Sequence, residues 1–215
     1  MARKSEEAPA EIVREYGPFP DTKHVHGVSY DGERVWFAAG ERLQSFDPGS
    51  GEQGRALAVP ASAGTAYDGR YFYQIADGMI RKVEAATGEV VATLPAPKDA
   101  SASGLTWAEG FLWLGDYGGR KIHQLDAKTG KVLRVIESTR FVTGVTFVDS
   151  ELWHATLEDG QSDLRRLDPE TGEVLERLVM PEGVAISGLE SDGADLFYAG
   201  GGSSGKVRAV RRPKR

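Results

Sequence analysis

Four times along this chain a strand-like run ends in a turn of one design: Asp47-Pro-Gly-Ser-Gly51, Glu84-Ala-Ala-Thr-Gly88, Asp126-Ala-Lys-Thr-Gly130 and Asp168-Pro-Glu-Thr-Gly172. An apolar pair precedes each turn: Leu43/Phe46, Ile80/Val83, Ile122/Leu125 and Leu164/Leu167, with Val207/Val210 as a fifth copy close to the end. An internal repeat constrains the fold more tightly than any local propensity, because each unit must bury its face against the next.

The repeat extends upstream. A small-Gly-apolar step recurs at His26-Gly27-Val28, Ala63-Gly64-Thr65, Ser103-Gly104-Leu105, Thr143-Gly144-Val145 and Ser187-Gly188-Leu189, with the glycines 37, 40, 40 and 44 residues apart. Tight turns follow (Tyr30-Asp-Gly, Tyr67-Asp-Gly, Ala108-Glu-Gly, Val148-Asp-Ser, Ser191-Asp-Gly). Then come the pairs Val35-Trp36, Phe72-Tyr73, Leu112-Trp113, Leu152-Trp153 and Leu196-Phe197. Short β-branched and aromatic runs punctuated by Gly and Asp are strands and hairpins, and no segment sustains a helical period.

A period near 40 residues with four strands per unit predicts an all-β, five-bladed β-propeller. The expected blades are residues 24–60, 61–97, 98–138, 139–181 and 182–215, within one domain of residues 1–215. The fifth repeat lacks its outer strand. Glu11-Ile-Val-Arg-Glu-Tyr16 has the pattern of Glu173-Val-Leu-Glu-Arg-Leu178, so residues 10–18 are expected to close the last blade and cover two open edges.

A net charge of −6 argues against a nucleic-acid or anionic-membrane partner. The basic Arg211-Arg-Pro-Lys-Arg215 reads as a short solvated tail. With no cysteine there is no disulfide or thiol chemistry. No apolar leader or long apolar run is present, so the chain as it stands is expected to be a soluble, cytoplasmic monomer.

Candidate site residues are those that break a repeat column. Where other blades place Ala63, Ser103, Thr143 or Ser187, the first has His26, two residues after His24. Alternate strand positions share a side, so these imidazoles could share a metal ion. The column Phe37, Gln74, Leu114, His154, Tyr198 offers His154 as a third ligand or a general base. In the column Ser29, Ala66, Thr106, Thr146, Glu190, the carboxylate needs a cation, hydrogen bonds or a proton if buried. Asp116 opens Gly115-Asp-Tyr-Gly-Gly-Arg120, whose Tyr117 and Arg120 are expected at the channel mouth. Glu158–Asp163 and Gly200–Gly205 are expected there too, as mobile binding loops. The polar column Gln44, Arg81, His123, Arg165, Arg208 reads as a solvated outer face, and the recurring Trp36, Trp113 and Trp153 as inter-blade packing. No helix follows the Gly-rich loop, so it is not a phosphate loop.

The Leu-Trp…Lys-Ile-His-Gln-Leu-Asp-x-x-Thr-Gly-Lys-Val pattern of residues 112–132 resembles the repeats of virginiamycin-lyase-like and YVTN-type propellers. Five blades in a chain of this size resemble the glutaminyl-peptide cyclotransferases. Their Phe-Thr-Gln-Gly-Leu would fall on His24-Val25-His26-Gly27-Val28, and their acidic residue on Phe37. The resemblance implies the scaffold, with His26 in place of a glutamine and no acid at position 37.

The leading expectation is a small-molecule enzyme at the channel mouth. It would be a metal-assisted hydrolase or lyase acting on an ester, lactone or phosphoester. His24, His26 and His154 would hold a divalent ion, with His154, Glu190 and Asp116 catalytic. The alternatives are a non-catalytic binding propeller and a glutaminyl cyclase-like transferase using another carboxylate such as Glu190.

Overall fold

The computed structural model describes residues 5–214. Residues 1–4 and the final Arg215 of the basic tail lie outside the described residues. Two short strands come first, β1 (Glu6–Pro9) and β2 (Ile12–Tyr16). Blade one follows as β3 (Val28–Tyr30), β4 (Val35–Ala38), β5 (Leu43–Phe46) and β6 (Gln53–Leu57). Blade two is β7 (Thr65–Tyr67), β8 (Tyr71–Ala76), β9 (Met79–Glu84) and β10 (Val90–Pro95). Blade three is β11 (Ala102–Ala108), β12 (Phe111–Asp116), β13 (Lys121–Asp126) and β14 (Val132–Glu137). Blade four is β15 (Val142–Val148), β16 (Glu151–Glu158), β17 (Gln161–Leu167) and β18 (Val174–Val179). Blade five supplies β19 (Gly188–Ser191), β20 (Leu196–Gly200) and β21 (Val207–Arg211).

The innermost strands touch in the cyclic order β3, β7, β11, β15, β19 and back to β3, which closes a five-bladed ring around a central channel. Five apolar clusters fill the five blade interfaces. The cluster between blades four and five, for example, packs Trp153 and Leu164 against Phe197 and Val210. The recurring tryptophans are buried in this packing: Trp36 meets Phe72, Trp113 stacks on Phe147 and Trp153 meets Phe197.

The recurring glycines make the closure possible. Gly27, Gly64, Gly104, Gly144 and Gly188 each face the backbone of the next blade. A Cβ on Gly64 would lie 2.5 Å from the Gly104 carbonyl carbon, and one on Gly104 would lie 2.6 Å from the Gly144 Cα. Any side chain there would hold the inner strands apart.

The expected closing strand is present. β2 pairs antiparallel with β21 as the outer strand of blade five, and Tyr16 enters the core beside Phe46 and Val207. Its neighbour Arg14 donates to Pro48 O and Gly49 O at 3.0 and 2.6 Å, which ties this strand to the β5–β6 turn of blade one. A second device was not read from the sequence: β1 adds in parallel to β18 as a fifth strand of blade four, held also by Arg177 on Glu7 at 2.9 Å. β1 and β2 therefore fasten blades four and five together.

Four expectations are corrected. In blade five, Asp192 N bonds Leu196 O, whereas Asp31 N bonds Arg34 O in blade one. The inner hairpin thus holds one extra residue. Within β20 every position slips by one, so Tyr198, opposite Glu190, takes the place of the tryptophans, and Ala199, opposite Leu189, matches His154, while β21 keeps its columns. The column of His123 is not solvated: Gln44, His123, Arg165 and Arg208 are all buried. Glu158–Asp163 is no long loop but a tight hairpin with Asp159 and Gly160 at positive φ, and Gly200–Gly205 is tied down by Val25 N to Gly202 O and Phe19 N to Gly205 O. Finally, Arg212 of the basic tail is buried, pairing with Asp149 at 2.6 Å and Glu151 at 3.2 Å.

Candidate ligand site at the channel mouth

The small-residue column just before the glycine ring opens into a cavity of about 250 Å³, lined by His26, Ala63, Ser103, Thr143 and Ser187 together with Tyr117, Leu157 and Ile186. Residues one position before the ring point into this void from every blade, and small side chains there leave room for it. The lower β12–β13 loop adds Tyr117, whose ring stacks on Phe141 at 4.7 Å. Arg120 lies over the same Phe141 ring and bonds Glu158 at 2.5 Å, so it is committed to the wall.

Two polar side chains of this column are uncommitted among the described residues. Thr143 is buried, with 6% of its surface exposed, and its hydroxyl has no hydrogen-bond partner among the described residues. The His26 ring is partly buried, and burial, reinforced by the neighbouring His24, holds its pKa below the usual histidine value. It is therefore neutral at pH 7 and offers one donor and one acceptor. The column's two serine hydroxyls are occupied: Ser103 donates to Val142 O at 2.7 Å, and Ser187 donates to Val25 O at 2.5 Å while accepting from Gly202 N. Sequence reasoning found His26 but passed over Thr143, whose hydroxyl looks no different in sequence from those of Ser103 and Ser187 in the same column.

The other expected site residues lie elsewhere. His24 does share a side with His26, their rings 5.6 Å apart, but it stands exposed at the rim. His154 is fully buried opposite Val145 and Arg165. Burial first, and the Arg165 charge second, push its pKa down to about 3, and neither ring nitrogen meets a hydrogen-bond partner in good geometry. It is a neutral packing residue, on the side of the blade where Phe37 and Leu114 serve as core. Asp116 accepts from Ser101 N and Gly119 N, each at 3.0 Å, and its second oxygen is 3.5 Å from His123 Nε2. It shapes its own turn. Among the described residues, no three His, Asp or Glu side chains gather closely enough to hold a metal ion. The fold does not bring His24, His26 and His154 together as one ligand set.

Glu190 lies below the glycine ring, inside the channel. It accepts from Thr106 Oγ1 of blade three at 3.0 Å, from Thr146 Oγ1 of blade four and from Ser191 N at 2.9 Å. Surrounding atoms enclose its carboxylate, and the other four residues at its level, Ser29, Ala66, Thr106 and Thr146, are buried. Burial raises its pKa to about 7 against the opposing pull of these hydrogen bonds. Sequence reasoning overlooked a further carboxylate, Asp163, which is sealed with Thr156, Arg165 and Arg177. The same column method could have found it, standing among Arg42, Met79, Lys121 and Lys206.

A closed ring of five blades with a pocket at one channel mouth defines a five-bladed β-propeller. No protein-family model and no curated protein matches the sequence. Among solved structures, the chain is similar to the glutaminyl cyclase of Myxococcus xanthus, with a TM-score of 0.78 and 16% identity over 97% of this chain and 98% of that one. It is also similar to the WD40 propeller domain of Doa1, with a TM-score of 0.57 and 18% identity over 88% of this chain and 64% of that one. At these identities the likeness is one of fold.

Proposed function

We propose that this protein binds a small, uncharged molecule in the channel-mouth pocket, through hydrogen bonds to His26 and Thr143 with an apolar body against Ala63, Leu157 and Ile186. The observation that carries this reading is the unpartnered Thr143 hydroxyl, because a buried polar group left without a partner costs about 1–3 kcal/mol. The volume, about 250 Å³, lies just below the range of roughly 300–1,000 Å³ usual for small-molecule pockets, so the ligand is small. Among the described residues, no Lys, Arg, Asp or Glu lines the cavity, which disfavours a charged ligand.

The binding reading replaces the metal-assisted hydrolase as first choice because His154 is walled off from the pocket and Asp116 is spent on its turn. A second reading, cyclisation of an N-terminal glutamine, is favoured by the structural likeness to a glutaminyl cyclase. Phe37 weighs against it: the position matched to the family's acid is a fully buried ring stacked on Phe19 at 4.5 Å.

A thermal-shift screen of small neutral metabolites, followed by calorimetry on the hits, tests the proposal. Binding should weaken at least tenfold in His26→Ala and in Thr143→Val, and should not change in His154→Gln. Hits whose affinity neither pocket substitution alters would show that binding occurs elsewhere. Turnover of a glutaminyl peptide by the wild type would establish the second reading instead.

A further inference from the structure

Below the pocket, the innermost strands present one ring of side chains to the channel: Ser29, Ala66, Thr106, Thr146 and Glu190. Their cross-strand partners are equivalent in every blade, Trp36, Tyr73, Trp113, Trp153 and Tyr198, so the five lie at one level. Glu190 reaches across this level from blade five to blades three and four.

Its bonding is incomplete. Oε1 accepts from Thr146 and from Ser191 N, but Oε2 accepts only from Thr106. A carboxylate has about four lone-pair sites, so acceptor capacity is left over. The Ser29 hydroxyl, fully buried in the same ring from blade one, has no hydrogen-bond partner among the described residues. Among the described residues, no cationic side chain bonds Glu190. The three hydrogen bonds offset only part of the cost of enclosing this charge, and a proton or a cation would offset the rest. Carboxylate and hydroxyl oxygens suit a hard cation, and one negative charge is balanced by a monovalent one.

We propose that Glu190, Thr106 and Ser29 form an axial binding site for a small monovalent cation, Na⁺, inside the channel. The ion would sit on Glu190 Oε2 and the two hydroxyl oxygens and retain part of its hydration. The site is distinct from the channel-mouth pocket and does not depend on the function proposed for it.

The test is thermal unfolding of the full chain at pH 8.5 in sodium chloride or N-methylglucamine chloride at equal ionic strength. Sodium should raise the midpoint saturably, by about 3–6 °C at ten times its Kd. The rise should shrink at pH 5.5, where the proton competes, and vanish in the isosteric Glu190→Gln. Ser29→Ala should move half-saturation to about tenfold higher sodium while leaving the carboxylate in place. Equal midpoints in the two salts at pH 8.5, or an undiminished sodium effect in Glu190→Gln, would overturn the site. Sodium NMR line broadening by the wild type, reversed at pH 5.5, detects the bound ion without relying on any variant: its absence counts against the proposal.

Discussion

Replacing Gly104 by alanine tests why the repeat contains glycine at its innermost step. The added Cβ would lie 2.6 Å from the Gly144 Cα and 2.7 Å from the Val145 N, whereas ordinary contact begins near 3.4 Å. Backbone lies on both sides, so no rotamer change relieves the clash, and blades three and four must part by about 0.8 Å. A gap of about 0.5–1 Å forfeits roughly a quarter to a half of the dispersion energy of each contact across it. The contacts at risk belong to the cluster of Trp113, Ile122, Val142, Val145 and Leu152. Overpacking of this kind costs about 1–3 kcal/mol and sometimes more. Loss of glycine freedom in the unfolded chain offsets about 0.4–1 kcal/mol of that. A net loss of about 1–2 kcal/mol, or a midpoint roughly 2–8 °C lower, is expected by calorimetry or circular dichroism. Gly118→Ala is the control, since its Cβ would meet only the Ser101 side chain at 3.0 Å and should cost about 0.5 kcal/mol or less. Gly64→Ala, with a closest approach of 2.5 Å, should cost more than Gly188→Ala, at 2.9 Å. A Gly104→Ala protein as stable as the Gly118→Ala control would refute the reasoning, because the ring would then yield without loss.

Glu190→Gln should change the pH dependence of stability. In the folded state burial raises the carboxyl to about 7 from an ordinary 4.5, so below pH 4.5 both states hold the proton and there is no penalty. As pH rises from 4.5 through 7, the unfolded state ionises first and folding stability falls, by about 3 kcal/mol in all. In sodium-free buffer, urea titrations should show the glutamine variant gaining on the wild type over this window and levelling off above it; a difference that stays flat with pH contradicts the assignment. Deleting residues 1–18 removes β1, β2 and the buried Tyr16 and bares the edges of β18 and β21, so no cooperative melt should remain. Deleting residues 1–9 alone should leave a cooperative but lower transition, and equal midpoints for full-length and shortened chains would show β1 to be dispensable.

The architecture was legible because propeller repeats expose their own alignment: glycine, hairpin, aromatic and Asx turn recur in fixed order. Even the closing strand could be read, since the pattern of residues 11–16 matched the outer strand that blade five lacked. What could not be read was geometry that leaves the composition unchanged. One extra residue in the Asp192–Leu196 hairpin moves Tyr198 into the tryptophan column without disturbing any motif. The column of His123 looked solvated because its members are polar. In the structure, Arg165 and Arg208 bury their length and satisfy their charges on Asp163 and Glu15. The site was half legible for a related reason. A residue that breaks its column is conspicuous whether it faces a void or a neighbouring blade, and the sequence does not say which. His26 faces the void, and His154 faces packed protein.

That distinction also separates the two proposed sites. Along each inner strand the order is pocket residue, ring glycine, core residue, channel residue, as in His26, Gly27, Val28 and Ser29. At about 3.3 Å per residue, the pocket and the Glu190 level are roughly 10 Å apart along the channel. The glycine ring lies between them and brings the five backbones to their closest approach. His26 is neutral at pH 7, so its imidazole exerts no net charge on an ion at Glu190 across that distance. The sites should therefore respond independently: His26→Ala should leave the sodium-dependent midpoint shift intact, and Glu190→Gln should leave pocket affinity within about twofold. If either substitution instead altered both responses strongly, the ring would be a flexible throat rather than a partition, and pocket and channel would have to be treated as one continuous site.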